Sequence, residues 1–292
     1  MSKLGFHISL IKKSVYESIM YAHNLFDINA FQLFLKNPKQ KGKINFTERE
    51  CLNSKNYIEE NSLFLVCHSP YVINIASPDE SVISENLEYV VNEIDIISRY
   101  GGKGSVYHVG KSVKQNKSDG FANMSNFIKM VLNELIERNI EGYFILETGA
   151  GCGTELCTKI DDLGEMYDTL SAEQKEKIMF CIDTCHIFSA GYPINTVEGA
   201  EDFINLFEEW IGWHKVICIH LNDSKTECGS CVDRHDNFTK GYITHEHTDG
   251  IRYFLKHVNN LMIPLILETP YEDNNMIENR INEINLIKNW II

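Results

Sequence analysis

The sequence has no long hydrophobic run, and this absence excludes a membrane-spanning helix of ordinary length. About 20 consecutive apolar residues cross a bilayer, whereas charged residues, 23% of the 292, break up the apolar stretches here. The first ten residues also lack the cationic start and apolar core of a secretory signal peptide. We therefore expect an intracellular protein of a reducing compartment (cytoplasm, nucleoid or nucleus, or the factory or virion of a virus) that is neither secreted nor membrane-bound.

The sequence also lacks a recognisable disulfide framework, because its nine cysteines are odd in number and scattered from Cys51 to Cys231. Only Cys228 and Cys231 have the spacing of a metal-binding pair. A single pair without a second one is weak evidence for zinc. We therefore interpret most cysteines as small buried hydrophobic residues.

Positive charge is scarce, with 27 Lys and Arg against 41 Asp and Glu and a net charge of −14. This balance argues against nucleic-acid binding, which uses cations to neutralise phosphates. Two stretches are nevertheless locally basic, from Lys36 to Lys43 and from Lys103 to Lys117. Divalent ions bound among carboxylates would also reverse the local sign of the charge. A nucleic-acid partner is therefore not excluded.

Eight short apolar runs recur along the chain, and amphipathic segments such as Ser81–Tyr100, Gly120–Arg138, Ala200–Trp210 and Met276–Ile292 have helical periodicity. Continuous apolarity is typical of parallel strands that are buried on both faces. Eight strand–helix units predict an α/β fold, a (β/α)8 TIM barrel that forms a single domain over residues 1–292. The runs are Leu4–Ser9, Asn29–Leu35, Leu63–Cys67, Gly104–Val109, Gly142–Glu147, Ile178–Asp183, Val216–Leu221 and Pro264–Glu268.

Metal-binding side chains stand at the ends of six of these runs. In a parallel barrel the carboxyl ends of the strands meet at one mouth, where such enzymes carry out their chemistry. One such histidine or acid is usually structural, but six in phase with the strand repeat indicate a common site. The six residues are His68, His108, Glu147, Asp183, His220 and Glu268.

Three further candidates, His186, Asp233 and His235, lie in loops just beyond these strands. Imidazole together with carboxylate favours Zn²⁺, with Mn²⁺ or Fe²⁺ as possible substitutes. Nine ligands suit two or three ions, and three ions would leave the four carboxylates at about +2. Such a cationic site is suited to hydrolysis of a phosphodiester. No nucleophile elbow, Gly-rich phosphate loop or catalytic Ser-His-Asp order offers another chemistry.

Several segments, among them Asp-Thr-Cys-His at Asp183–His186 and Asp-Arg-His at Asp233–His235, resemble the signatures of the endonuclease IV family of apurinic/apyrimidinic (AP) endonucleases. The resemblance covers nearly the whole chain, and these two motifs in this order are highly specific. The segments that carry it are Phe31–Asn37, Cys67–Asn74, Leu146–Gly151, Cys181–Tyr192, His220–Lys225, Gly229–His235 and Pro264–Thr269.

This resemblance implies three zinc ions per chain and assigns catalysis to Glu147, Asp183 and Glu268. One zinc would bind His68, His108 and Glu147. Glu147 would bridge to a second zinc, which Asp183, His220 and Glu268 hold, and His186, Asp233 and His235 would bind the third. The implied reaction is hydrolysis 5′ of an abasic site in double-stranded DNA, which leaves a 3′-hydroxyl, together with trimming of blocked 3′ ends. We expect the protein to act as a monomer.

The resemblance also places Lys39, Tyr71 and Val72 where the family enters the DNA base stack. An aromatic and an apolar wedge would fill the gap left by the missing base. Arg234 lies between two ligands and could contact a phosphate or form a structural ion pair. The chain departs from the family at Lys39, which is more often Arg, at Val109, which is usually Pro, and at Thr239–Gly241. None of these departures touches a ligand.

A sugar isomerase or epimerase on the same barrel is the main alternative. It would use Glu147, Asp183, His220 and Glu268 but would leave the other five candidates without a role. A catalytically inactive DNA- or metal-binding barrel is a third possibility, although every ligand position is filled. Three further histidines are interpreted as non-ligands. His7 is expected at the barrel mouth, and His245 and His247 are expected at the surface or at the start of a helix.

Overall fold

A computed structural model describes residues 2–270 and 275–291. Eight parallel strands form a closed barrel in which each strand pairs with the next one along the chain, and the first and last barrel strands pair through Leu4 and Leu265. This architecture confirms the predicted (β/α)8 barrel. The barrel strands are β1 (Leu4–His7), β2 (Ala30–Leu33), β3 (Phe64–His68), β4 (Gly104–Tyr107), β5 (Tyr143–Glu147), β6 (Ile178–Asp183), β7 (Val216–His220) and β10 (Leu265–Leu267).

Helices alternate with the barrel strands and cover their outer side. They are α1 (Val15–Phe26), α2 (Glu48–Glu60), α3 (Glu80–Arg99), α4 (Lys117–Glu137), α5 (Ile160–Asp168), α6 (Ala172–Lys175), α7 (Thr184–Ser189), α8 (Val197–Trp210), α9 (Asp249–Asn260) and α10 (Met276–Ile291), with a 3-10 turn at Trp213–Lys215. Among these described residues, no helix is long and apolar enough to cross a bilayer.

Helices α4 and α8 begin three residues earlier than the apolar periodicity predicts, because polar caps set their starts. The side chains of Asn116 and Thr196 accept hydrogen bonds from the main-chain N–H groups of Asp119 and Gly199. Such caps satisfy donors of the first helical turn that have no partner within the helix. The last predicted helical residue, Ile292, lies outside the described residues.

The core has two parts, because each barrel strand is buried on both faces. A large cluster of apolar side chains lies between the strands and the helices. A smaller one fills the barrel interior and includes Val66, Val106, Ile145 and the thiols of Cys181 and Cys218, whose sulfurs are 3.6 Å apart. Six of the nine cysteines are buried and all are free, in agreement with their interpretation as small hydrophobic residues.

The long segment after β7 folds back over the mouth of the barrel. Two short strands, β8 (Asp223–Ser224) and β9 (His235–Asp236), pair antiparallel and hold His235 beside the strand ends. The buried carboxylate of Asp223 accepts hydrogen bonds from the N–H groups of Ser224 and Ile243 and from the hydroxyl of Thr244. This segment is therefore ordered by its own buried polar contacts.

Candidate metal centre and DNA-binding face

The six ligand candidates at strand ends meet at one mouth of the barrel. His68, Glu147, Asp183 and His220 are the last residues of β3, β5, β6 and β7. His108 and Glu268 each come directly after a strand. The predicted convergence follows from the parallel order of the strands.

Glu147 lies at the centre of this group and faces four imidazole rings. Its Oε1 atom is 2.6 Å from His220 Nδ1 and 3.7 Å from His186 Nδ1. Its Oε2 atom is 3.5 Å from His68 Nε2 and 3.3 Å from His108 Nδ1. One carboxylate therefore contacts side chains from both of the ligand groups that it was expected to bridge.

The residues expected to hold the second zinc surround His220. Its Nδ1 atom is 3.3 Å from Glu268 Oε2 and 3.8 Å from Asp183 Oδ2. Among the residues expected to hold the third zinc, Asp233 Oδ1 is 3.4 Å from His186 Nε2 and 3.2 Å from His235 Nε2. His235 Nε2 is also 3.5 Å from Asp183 Oδ2, so the second and third groups are contiguous.

Local hydrogen bonds orient the rings of His68 and His186. Nδ1 of His68 donates to its neighbour Ser69 O at 2.9 Å, and Nδ1 of His186 donates to Thr148 O at 2.8 Å. A carbonyl oxygen can only accept, so these rings keep Nε2 available as a ligand atom. Asp183 also accepts from the N–H of His186 at the start of α7, which places the two candidates on one tight turn.

The pKa values indicate ionised carboxylates balanced by positive imidazoles. Burial raises the pKa of Glu147, but the charges of His108 and His220 outweigh it and hold that pKa well below its usual range. Burial lowers the pKa of His220, but Glu268 and Glu147 raise it to about 10. Burial likewise lowers the pKa of His235, but Asp183 and Asp233 raise it to about 9. The site therefore stabilises positive charge strongly.

Three buried atoms of this cluster support a cation site. Within the part of the chain that the structure describes, Glu147 Oε2, His186 Nε2 and His235 Nε2 have no hydrogen-bond partner. Buried polar atoms without a partner are costly. Divalent ions bound in the groups to which these atoms belong would use all three, and a donor set of imidazole and carboxylate fits zinc. The residues present therefore fit the implied metal.

The predicted DNA-contacting residues lie at the rim of this mouth. Tyr71 and Val72 are 63% and 46% exposed and are adjacent in the chain. The ring of Tyr71 is 6.1 Å from the ring of His108, and its N–H donates to Pro38 O, which joins it to the loop of the exposed Lys39. Arg234 is also exposed, and its guanidinium donates to Asp233 O at 2.7 Å.

The two basic stretches are less cationic in space than in sequence. Lys111 pairs with Glu155 at 3.4 Å, and Lys117 pairs with Asp162 at 3.2 Å. In the other stretch, Lys41 Nζ is 3.5 Å from a carboxylate oxygen of Glu85. Acids from distant parts of the chain thus neutralise part of each stretch.

Several residues that support the ligand candidates are not evident from the sequence alone. Asn222 donates to Asp183 Oδ2 at 2.7 Å and accepts from the N–H of Glu268 at 2.8 Å. The thiol of Cys152 accepts from the N–H of Asp233 at 3.2 Å. Gln32 lies on β2 between two ligands. The sequence contains one sign of these supporting residues, because Gln32 is an amide within an otherwise apolar strand.

The three histidines that were interpreted as non-ligands, His7, His245 and His247, lie where they were expected. His7 Nδ1 is 3.8 Å from Glu268 Oε1 and thus lies at the barrel mouth behind a ligand. His245 and His247 are exposed and precede α9. They are not among the residues that meet at Glu147.

Known proteins resemble this chain over most of its length. The family described as xylose isomerase-like TIM barrel matches residues 22–290. A protein of Symbiobacterium thermophilum described as endonuclease 4 is 35% identical, over 93% of this chain and 94% of its own. One of Acanthamoeba polyphaga mimivirus with the same description is 31% identical, over 99% of this chain and 94% of its own.

The fold has solved counterparts as well. The crystal structure of endonuclease IV from Thermus thermophilus superimposes with a TM-score of 0.81 at 22% identity, covering 99% of this chain and 98% of that one. At this identity the superposition shows the fold, while the curated relatives show the family. The chain belongs to the endonuclease IV family of AP endonucleases, within the xylose isomerase-like TIM barrels.

Proposed function

We propose that this protein hydrolyses the phosphodiester 5′ of an abasic site in double-stranded DNA, leaves a 3′-hydroxyl and also trims blocked 3′ ends. One observation carries the proposal: Glu147 and Asp183 connect the three ligand groups into one site at the barrel mouth. The exposed side chains of Tyr71 and Val72 lie beside this site. Three zinc ions are the proposed cofactors, with Mn²⁺ or Fe²⁺ as substitutes.

The nine ligand candidates would hold the three ions in the sets that the family resemblance implies. When bound, such ions lower the pKa of the attacking water and stabilise the negative charge that builds up on the phosphoryl oxygens. Glu147 and Asp183 are buried and held by imidazoles, so their role is to fix the positions of the ions. Glu268 is 16% exposed, so its carboxylate can reach the attacking water and orient it by accepting a hydrogen bond.

The rim residues would supply the selectivity for damaged DNA. A missing base leaves a gap in the stack, and the exposed Tyr71 and Val72 can fill that gap while the sugar turns out towards the metals. Lys39 and Arg234, which are both exposed, would contact phosphates. We expect a monomer that acts inside the cell, where its DNA substrate is.

The sugar isomerase alternative explains fewer of the residues at the mouth. It requires Glu147, Asp183, His220 and Glu268 but gives no role to the cluster of His186, Asp233 and His235, whose ligand atoms all lie within 4.8 Å of one another. It also gives no reason for an exposed tyrosine at the rim. We therefore favour a DNA substrate.

A nicking assay tests the proposal directly. The substrate is a duplex oligonucleotide with one abasic analogue, and the control is the same duplex without the lesion. We expect zinc-loaded protein to cut only the damaged strand, 5′ of the lesion, and to leave an end that a DNA polymerase extends. Absence of cleavage by protein that carries its full metal content would contradict the proposed function.

A further inference from the structure

Gln32 is a fully buried amide at the bottom of the proposed metal site, on β2, a strand that supplies none of the nine ligand candidates. Its Oε1 atom is 2.7 Å from His220 Nε2, and its Nε2 atom is 2.6 Å from Glu268 Oε1. The same Nε2 atom is 3.1 Å from His7 Nδ1. One side chain thus joins two ligand candidates and a barrel-mouth histidine.

The orientation of this amide follows from its partners. A carboxylate that binds a metal offers only acceptor oxygens, and Glu268 Oε1 is 2.6 Å from the amide group of Gln32. The amide nitrogen of Gln32 must therefore face Glu268, and its oxygen faces His220. The reversed amide would place two acceptor oxygens 2.6 Å apart. His220 Nε2 must in turn carry the hydrogen that Gln32 Oε1 accepts.

A hydrogen at Nε2 determines which atom of His220 can bind a cation. A metal-binding imidazole is neutral and offers one nitrogen, because the other keeps its proton. The Nδ1 atom of His220 faces Glu147 at 2.6 Å and Glu268 Oε2 at 3.3 Å, whereas Nε2 faces away from them towards Gln32. The ring atom that faces the other ligand candidates, and that a cation among them would meet, is therefore Nδ1.

We propose that Gln32 is a positioning residue that holds His220 in its Nε2–H tautomer, so that Nδ1 binds the metal, and that it also orients the carboxylate of Glu268. This role rests on the proposed metal-dependent function and extends it to a residue outside the nine ligand candidates. Outer partners of metal ligands typically contribute about 10- to 100-fold to metal affinity.

The test compares Gln32→Met, which keeps the approximate length but neither donates nor accepts, with Gln32→Glu, which accepts but cannot donate. Gln115→Met is the matched control, since the Gln115 amide also donates two part-buried hydrogen bonds, to Ala76 O and Ser112 O. Zinc affinity is measured by competition with a chromophoric chelator. Two-bond ¹H–¹⁵N NMR spectra of zinc-loaded, ¹⁵N-histidine-labelled protein report the His220 tautomer.

We expect Gln32→Met to lose about 10- to 100-fold in affinity for one zinc ion and to lose the hydrogen-bonded Nε2–H signal of His220. Gln32→Glu should keep that signal but bind zinc more weakly, because a second carboxylate then faces Glu268. Gln115→Met should match wild type in both measurements. If Gln32→Met does not fold, Gln32→Glu and the wild-type spectrum still decide the question.

The outcomes separate this inference from the proposed function. Wild-type protein that binds no zinc, or that leaves abasic DNA uncut when loaded, contradicts the proposed function. Wild-type protein that binds three ions and cuts DNA, but whose His220 carries its hydrogen on Nδ1, overturns the role of Gln32 alone. Unchanged zinc affinity in a folded Gln32→Met variant overturns it as well.

Discussion

Glu93, on the inner face of α3, should make the stability of this protein depend on pH around neutrality. Its side chain is fully buried against β4 and accepts hydrogen bonds from the hydroxyls of Tyr89, Ser105 and Tyr107 at 2.8 to 3.0 Å. Burial opposes ionisation more than these donors and His68 favour it, and the pKa of Glu93 rises to about 7 from an ordinary 4.5. The folded chain therefore keeps a proton that the unfolded chain releases.

The sign and size of the effect follow from this difference in pKa. Below pH 4.5 the carboxyl is protonated in both states and has no effect on stability; as pH rises to 7 the folded state loses stability relative to the unfolded state. The full loss, reached above pH 7, is about 3 kcal/mol, since each pKa unit corresponds to about 1.4 kcal/mol. Between pH 6 and pH 8 the loss grows by roughly 1 kcal/mol.

The assay is chemical denaturation of wild type and Glu93→Gln at the same free zinc concentration, at pH 6, 7 and 8. The amide of the variant cannot ionise, so its free energy of unfolding should rise relative to wild type by roughly 1 kcal/mol over this range. Glu88→Gln, at an exposed position of the same helix, is the control and should leave the pH dependence unchanged. A difference between Glu93→Gln and wild type that does not vary with pH would refute the reasoning.

Three further predictions concern the site. Elemental analysis of purified protein should show three transition-metal ions per chain, mainly zinc, because nine ligand candidates form contiguous groups; a reproducible single ion would contradict the trinuclear site. Glu147→Gln should nearly abolish nicking of abasic DNA with the fold intact by circular dichroism, because one neutral amide oxygen cannot replace two charged ones; near-wild-type turnover with full metal content would show that Glu147 is not the bridge. Tyr71→Ala should weaken binding of abasic duplex about tenfold or more, since stacking on a base contributes roughly 1–3 kcal/mol; a variant that keeps its metals and binds as tightly as wild type would remove Tyr71 from the wedge.

The sequence was sufficient to predict the barrel and the identity of the ligand candidates. Each β/α unit repeats a buried strand followed by a helix, so apolar runs mark the strands and the residue after each run marks the mouth. His68, Asp183 and His220 could be placed in this way because the parallel order brings all carboxyl ends together. The helix starts were less accurate, since side-chain caps such as Asn116 lie outside the apolar periodicity.

Other features could not be obtained from the order of the residues. The pairing of Lys111 with Glu155 and of Lys117 with Asp162 brings together segments that are far apart in the chain. The support of Asp233 by the thiol of Cys152 likewise joins two loops that follow different strands. Such contacts depend on how loops fold over the mouth, and loop conformation leaves little trace in composition or periodicity.

The sequence by itself determined which residues meet, because the strand repeat dictates the end of each strand and the parallel barrel dictates that these ends converge. Only the tertiary structure decided how they meet. It places Glu147 among four imidazoles, directs Nδ1 of His220 towards the carboxylates, and inserts Gln32 behind that ring. The physical reason is that ligand chemistry depends on which atom of a side chain carries a proton and which faces a neighbour, and hydrogen bonds across the barrel decide both.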